Sequence, residues 1–357
     1  MISTGNVSVT KHSFTGRVKA KLLFLFRLTN NPVVKVYDGY GNHQSAIVFG
    51  HVFTLSPLSR KKYRKNFITN FFALLRLFMV KPEPRASLRM IWDNQPIEID
   101  TESDGFFKFE FKPGTTIQPG WHKITIELLR LKGKTVSNVR GEGSFFIPDE
   151  NQFACISDID DTFLISHSSN LRKRLYVLFT ENAHSRKPFE GVVNHYQLLS
   201  RAGHVGELTN PFFYVSSSEW NLYEYITEFS RQNGLPRGVY LLNQAKTFSK
   251  IFKTGQNNHA TKFMRIARII ESYPEHRYIL LGDDSQMDPV IYSSIVEHFP
   301  GKIRSIYLRR VDAANREKVE GIVKNIRDKG IDCCYFSHSE EAIKHSKESG
   351  LVSAMET

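Results

Sequence analysis

The spacing of apolar and polar positions changes character near residue 149. From Val33 to about Pro148, short β-branched or aromatic runs recur at Ser45–Phe53, Ala86–Trp92, Phe106–Phe111, Trp121–Leu129 and Gly143–Ile147. Runs of that length, bounded by Gly, Pro, Asn and Asp, read as strands. Asp93-Asn94-Gln95-Pro96 and Asp104-Gly105 read as hairpin or turn positions. The pattern predicts a small β-sandwich within residues 1–149, with residues 1–30 a basic, irregular lead.

One segment breaks the alternation. Arg60-Lys61-Lys62-Tyr63-Arg64-Lys65 feeds an apolar stretch from Phe67 to Val80 that reads as a helix closed by Lys81-Pro82. Basic residues leading an apolar helix suit an anionic membrane surface, which makes residues 60–81 a candidate membrane contact. The plainer reading, that the helix caps the sandwich or packs on the second domain, is preferred.

After Pro148-Asp149-Glu150 the chain alternates strands with helical stripes, which predicts a mainly parallel sheet flanked by helices over residues 150–357. A short buried strand from Ala154 runs into Asp158, Asp160 and Asp161. Leu171, Leu175, Leu178 and Phe179 form one helical stripe and Val192, Tyr196 and Leu199 another. Pro211-Phe212-Phe213-Tyr214-Val215 is the next strand, ending at Ser216-Ser217-Ser218, and Leu222, Tyr225, Ile226 and Phe229 face one side of the helix that follows. Val239–Leu242 is a strand, then Phe263, Ile266, Ala267 and Ile270 mark a helix with Lys262 in its first turn. Tyr278–Leu281 is a strand whose carboxyl end carries the loop Gly282–Asp288. Ile303–Leu308 and Cys333–Phe336 are expected at the sheet edges, with helices from about Ala313 and Glu340.

At 357 residues the chain has room for two cores. No run approaches the roughly 20 apolar residues needed to cross a bilayer, and the start lacks a signal-peptide layout. A soluble, unsecreted, cytoplasmic protein is therefore expected, with peripheral membrane contact as the variant. Three cysteines, two of them adjacent, give neither a disulfide framework nor a zinc spacing. The net charge of +12 favours an acidic partner. Nucleic acid is set aside because aromatic-studded recognition motifs are absent.

Chemistry concentrates where the first strand of the second half ends. In parallel α/β sheets ligands bind beyond the carboxyl ends of the strands, and Asp158 and Asp160 stand there. Two carboxylates so close resist joint ionisation unless a cation joins them or one keeps its proton. A calcium loop would need Gly and Glu where Phe163 and Ser169 stand, so it is excluded. Gly133-Lys134-Thr135 imitates the end of a phosphate-binding loop, but Leu128 occupies the required glycine position.

The Asp158-x-Asp160-x-Thr162 pattern resembles the first motif of the haloacid dehalogenase (HAD) superfamily. That resemblance implies a HAD-like, Rossmann-type domain in which Asp158 is the nucleophile and Asp160 the general acid/base. It also implies Ser216 as a phosphoryl ligand and Lys262, preferred over Lys250 and Lys253, as the stabilising cation. Mg2+ would be held with Asp158 and Asp160 by Asp283, and by Asp284 and Asp288 directly or through water. Ser217 or Ser218 reads as the N-cap of the next helix.

A narrower resemblance is to the actin-patch phosphatidate phosphatase family, in its bacterial-type members. It is carried by Ser157-Asp158-Ile159-Asp160-Asp161-Thr162, Phe213-Tyr214-Val215-Ser216-Ser217-Ser218 with Trp220-Asn221-Leu222-Tyr223, and Gly282-Asp283-Asp284-Ser285-Gln286-Met287-Asp288-Pro289 with Ile291-Tyr292. Phe189-Glu190-Gly191-Val192, Tyr37-Asp38-Gly39-Tyr40-Gly41 and Pro119-Gly120-Trp121-His122 extend it along most of the chain. Glu219 for proline, Asp284 for serine, and two residues between His259 and Lys262 are departures from the pattern.

The resemblance implies Mg2+-dependent conversion of phosphatidate to diacylglycerol and phosphate through an aspartyl-phosphate. The competing readings are a soluble phosphomonoesterase with a non-lipid substrate and a non-catalytic membrane adaptor.

Overall fold

The computed structural model describes residues 28–57, 76–115, 117–149, 153–160, 188–203, 209–243 and 258–353. In the first half the strands are β1 Leu28–Thr29, β2 Val33–Gly41, β3 Ala46–Pro57, β4 Lys81–Pro82, β5 Ser87–Trp92, β6 Gln95–Asp100, β7 Phe106–Phe111, β8 Gly120–Leu131, β9 Lys134–Thr135 and β10 Arg140–Ile147. They join in one ten-stranded sheet along the path β1-β3-β2-β10-β8-β5-β6, with β4 and β7 on β3 and β9 on β8. The expected sandwich is therefore a single hydrogen-bonded path. Every pair is antiparallel except β10 with β2.

The physical reason one path suffices is that the sheet folds over its own apolar face. In β7, Phe107, Phe109 and Phe111 are buried while Lys108 and Glu110 are exposed, a period of two. These phenylalanines share a core with Leu88 and Met90 of β5, near the far end of the path, and with Ile126 and Phe145 between. Asp93 and Asn94 both take positive φ, 49° and 61°, so the β5–β6 hairpin closes on two residues as Asp-Asn chemistry allows. Gln95 and Pro96 belong to β6 rather than to the turn, and Pro96 is tolerated because β6 is an edge strand.

The helix expected over residues 67–80 lies mostly outside the described residues. Its described end, Arg76–Phe78, is a single 3-10 turn, and Lys81–Pro82 pairs with β3 instead of stopping a helix. Phe78 is buried in the same cluster as Tyr37 and Trp220, which accords with packing on the second half. The stripe expected at Leu171–Phe179 is outside the described residues.

The second half forms a six-stranded parallel sheet in the order β13-β12-β11-β14-β15-β16. Its strands are β11 Ala154–Ser157, β12 Phe212–Glu219, β13 Gly238–Asn243, β14 Tyr278–Asp283, β15 Ile303–Arg309 and β16 Asp332–Phe336. Ile303–Leu308 is thus internal, and the edges are β13 and β16. The described helices are α1 Val192–Arg201, α2 Tyr223–Gln232, α3 Asn258–Ser272, α4 Asp288–His298, α5 Arg316–Asp328 and α6 Ser339–Glu348.

Strand alternation sorts the side chains into two cores. Cys155, Tyr214, Leu281 and Tyr307 pack on one face with Tyr196 of α1, Phe229 of α2 and Ala342 of α6. Ile156, Val215, Leu280 and Leu308 pack on the other with Ile270 of α3, Ile295 of α4 and Val323 of α5. Both faces are covered, which explains the near-continuous apolar runs of these strands. Chain order runs outward from β11 to β13 and then resumes at β14 on the other side of β11, so the topological switch point lies between β11 and β14.

The two sheets meet through aromatic residues. Tyr37 stacks on Trp220 with ring centroids 4.2 Å apart and planes 7° from parallel, and the Tyr223 hydroxyl oxygen accepts the Asp38 N–H at 3.1 Å. Lys35 pairs with Glu224 at 2.7 Å, and Arg237 lies over Trp121, 3.7 Å from the ring centre. A cavity of about 390 Å³ sits beside this contact, with Val33, Phe53, Leu77 and Trp220 in its walls. Among the described residues, no helix is long and apolar enough to cross a membrane.

Two outcomes follow. Trp220→Ala should cost roughly 3–5 kcal/mol in urea unfolding, the range for deleting a buried large aromatic, whereas Ile91→Ala at the exposed β5 surface should stay within about 0.5 kcal/mol. Burial lowers His51 to about 4 and His195 to about 3 from their ordinary 6.5, so below pH 6.5 the unfolded chain binds more protons than the folded one. Stability should therefore fall as pH drops from about 6.5 toward 4, and His195→Gln should flatten that slope in pH-dependent urea titrations.

Candidate functional site

Asp158 is the first residue beyond β11, and its N–H donates to Leu281 O of β14 at 2.8 Å. Ser157 before it donates to Asp158 O at 2.6 Å and lies 2.8 Å from the Tyr196 hydroxyl. The backbone of Asp158 is thereby fixed between neighbouring strands and the helix behind it. Asp283 is the last residue of β14, and its Oδ1 accepts the Ser285 N–H at 2.6 Å. Asp288 opens α4, where a carboxylate is favoured by the helix dipole, and Pro289 follows in the first turn.

These three acids converge. One carboxylate oxygen from each of Asp158, Asp283 and Asp288 lies within 4.8 Å of the others, and all three residues are buried. Lys262 of α3 reaches in among them, 2.8 Å from Asp158 Oδ1 and in direct contact with Asp288 Oδ1. Lys262 begins the second turn of α3, not the first, because the helix starts at Asn258.

Charge is what sets the cluster apart. Burial pushes the Asp158 carboxyl well above the ordinary carboxylate range, against the pull of Lys262, and Asp288, Asp283 and Asp160 push it further. Burial and Asp288 raise Asp283 to about 8. Burial disfavours the charged form of Lys262, but Asp158 and Asp288 outweigh it and raise its affinity for the proton. Asp158 Oδ2 is buried with no hydrogen-bond partner. Three buried carboxylates, one lysine and an orphaned carboxylate oxygen fit a hard divalent cation, for which oxygen ligands are preferred.

Asp160 is buried but is not a member of that three-acid group. Its Oδ2 accepts from Ser218 Oγ at 2.8 Å and from Ser216 Oγ at 3.2 Å. Ser216 Oγ in turn accepts the Ser218 N–H at 2.9 Å. The helix-cap reading of Ser218 is corrected: its hydroxyl serves Asp160, and the residue before the next helical turn is Glu219, which caps nothing with its side chain.

Asp284 is the second correction. Its Oδ1 accepts the N–H groups of Val311 at 2.7 Å and Asp312 at 2.8 Å, and its Oδ2 accepts from the Tyr335 hydroxyl at 2.6 Å. Both oxygens are committed on the β15–β16 side, because consecutive residues at a strand end point to opposite faces. Asp284 therefore braces the loop after β15 and stands apart from the Asp158–Asp283–Asp288 group. The alternatives to Lys262, Lys250 and Lys253, lie outside the described residues.

Sequence reading also missed a spatial requirement at Gly282. A Cβ there would stand 2.6 Å from Asp288 Oδ2 and 2.8 Å from Tyr292 Cε2, so only glycine lets Asp288 close on the strand. Glycine before two acids at the end of a buried strand was the available signal.

Fold and site together define an α/β domain with an acidic, metal-compatible centre at the switch point of a parallel sheet. Residues 153–310 match the family model described as "Phosphatidate phosphatase APP1, catalytic domain". Over 156 residues it is 29% identical to phosphatidate phosphatase APP1 of Saccharomyces cerevisiae, covering 43% of this chain and 25% of the yeast protein. Over 194 residues it is 23% identical to an uncharacterized protein of Schizosaccharomyces pombe, covering 53% of this chain and 31% of that one. The matches thus span about a quarter to a third of the length of these curated relatives. A carbohydrate acetylesterase from Xanthomonas citri covers 77% of this chain at 10% identity and a TM-score of 0.26, too low to carry an argument. Tyr37–Gly41 and Pro119–His122, included in the resemblance read from sequence, lie outside the matched family segment.

The three clustered acids and Asp284 play separable parts. Gly282→Ala should weaken the affinity of the cluster for an added divalent cation by roughly 10–100-fold in calorimetric titration, as displaced supporting groups do at metal sites. Asp284→Ala should leave that affinity within a few fold while lowering stability by roughly 1.5–3 kcal/mol, the range for hydrogen bonds to a charged group.

Proposed function

We propose that this chain is a Mg2+-dependent phosphatidate phosphatase that works through an aspartyl-phosphate, with residues 150–357 as a HAD-like catalytic domain and 1–149 as an accessory β-domain. The observation that carries the reading is the buried trio Asp158, Asp283 and Asp288 around Lys262, with Asp158 Oδ2 left free of any hydrogen-bond partner. The family match over residues 153–310 supports the substrate class.

In this reading Asp158, Asp283 and Asp288 would hold Mg2+, which would supply positive charge against the acids and the phosphate. The Asp158 carboxylate attacks phosphorus, and the bond from phosphorus to the glycerol oxygen breaks. Asp160 donates its proton to the departing alkoxide, giving diacylglycerol. Asp160, now ionised, removes a proton from water as that water attacks the aspartyl-phosphate, which returns Asp158 and releases phosphate. Ser216 and Ser218 hold Asp160 through its Oδ2. Lys262 compensates charge on Asp158 and on the phosphoryl oxygens. For a lipid substrate the enzyme must meet an anionic bilayer, and the basic sequence Arg60–Lys65 is the proposed contact.

The test is phosphate release from phosphatidate in mixed micelles compared with soluble monoesters, with and without Mg2+. Phosphatidate should be preferred, chelation should remove the activity, and Asp158→Asn should abolish it. Asp160→Asn should cost about 10²–10⁴-fold in kcat, the usual contribution of general acid/base catalysis. Preference for soluble monoesters would favour the non-lipid phosphomonoesterase, and undiminished turnover in Asp158→Asn would remove the nucleophile role.

A further inference from the structure

The strand end that holds Asp160 is irregular. Between β12 and β13 the register runs from Val215 opposite Leu241 to Glu219 opposite Asn243, four steps on one strand against two on the other. A bulge of this kind re-aims side chains but leaves backbone groups without ladder partners. Here Ser216 and Ser218 turn toward Asp160, and the carbonyl groups of Ser216 and Ser217 need donors.

Two side chains supply them. Arg265 Nη1 donates to Ser216 O at 3.1 Å, and Asn243 Nδ2 donates to Ser217 O at 3.0 Å. Arg265 Nη2 donates to Asn243 Oδ1 at 2.6 Å, which closes the bracket. Arg265 stands one turn beyond Lys262 on α3, so one helix sends a lysine to the acids and an arginine to the bulge. Burial lowers Arg265 to about 10, which leaves it charged at neutral pH.

We propose that Arg265, bracketed by Asn243, is a positioning residue for the reaction: it sets the Ser216–Ser218 bulge so that both hydroxyl groups hold Asp160 in the orientation for proton transfer. The proposal rests on the phosphatase reading but makes a separate claim. Arg265 touches backbone and Asn243, and its action on the chemistry passes through Ser218 and Asp160. Lysine cannot reproduce it, because a single ammonium lacks the two-armed geometry that reaches Ser216 O and Asn243 Oδ1 together.

Kinetics on phosphatidate separate the claims. Wild-type turnover with a silent Asp158→Asn variant tests the phosphatase reading alone. Given that, Arg265→Met should lower kcat about 10–100-fold with KM within about twofold, as misplaced catalytic groups do. Arg265→Lys should fall between. In a Ser218→Ala background the Arg265→Met effect should shrink to under about threefold, since coupled residues are not additive. Full kcat in Arg265→Met, an undiminished effect in the Ser218→Ala background, or a raised KM with unchanged kcat would each overturn the proposal. A crystal structure of Arg265→Met gives a measure independent of activity and of folding losses: Ser218 Oγ should leave Asp160 Oδ2 from its 2.8 Å contact. Retention of that contact would also overturn it.

Discussion

The arrangement depends on an electrostatic imbalance. Asp158, Asp283 and Asp288 are all buried around Lys262. Removing carboxylates from water is costly unless opposite charge and hydrogen bonds replace the lost solvation. Lys262 contacts two of the acids, and Asp158 keeps a buried oxygen without a partner. The remaining charge must be met by protons or by a cation, which explains why burial lifts both Asp158 and Asp283. A cluster of this kind weakens the fold it sits in, and its persistence needs strong support from the surrounding layers.

That support comes from the sheet. Asp158 leaves β11 at the switch point, where neighbouring crossovers run to opposite sides and open a crevice. The strands below are buried on both faces by two separate cores, so their ends have little freedom to drift. Tyr292 of α4 donates to Leu281 O at 2.8 Å, which ties the helix that starts with Asp288 to the strand that ends with Asp283. Gly282 completes the approach by having no side chain. Each acid is therefore placed by a different element, and the elements are coupled below the site.

Much of this was legible in the sequence because buried parallel strands write themselves as short apolar runs and acids at their ends have few structural uses. The Asp158, Asp283, Asp288 and Lys262 convergence could be read that way. Asp284 could not, since two adjacent acids look alike in a string and only the alternation of the strand sends one toward Tyr335. Ser218 was hidden for a related reason: a serine before a helix reads as a cap, and the bulge that redirects it depends on Asn243 and Arg265, far apart in the chain. The internal place of β15 was equally invisible, because β16 covers it from a separate segment. The single-path sheet of the first half escaped the pattern too, since local alternation fixes which face is buried but not whether the path is cut into two.

The junction between the sheets bears on how much of the chain the chemistry needs. Trp220 lies two residues beyond Ser218, whose hydroxyl holds Asp160, and it stacks on Tyr37 of β2. Tyr37 is buried, and its hydroxyl meets His51 Nδ1 at 3.0 Å inside the ten-stranded sheet. A family match confined to residues 153–310 therefore stops short of a contact that the strand end of Ser216 and Ser218 leans on. Packed aromatic pairs resist small displacements because interiors have no slack to absorb them. On that ground the first half is part of what holds Asp160 in place, and its sequence is constrained at Tyr37 by the same geometry that constrains Ser218.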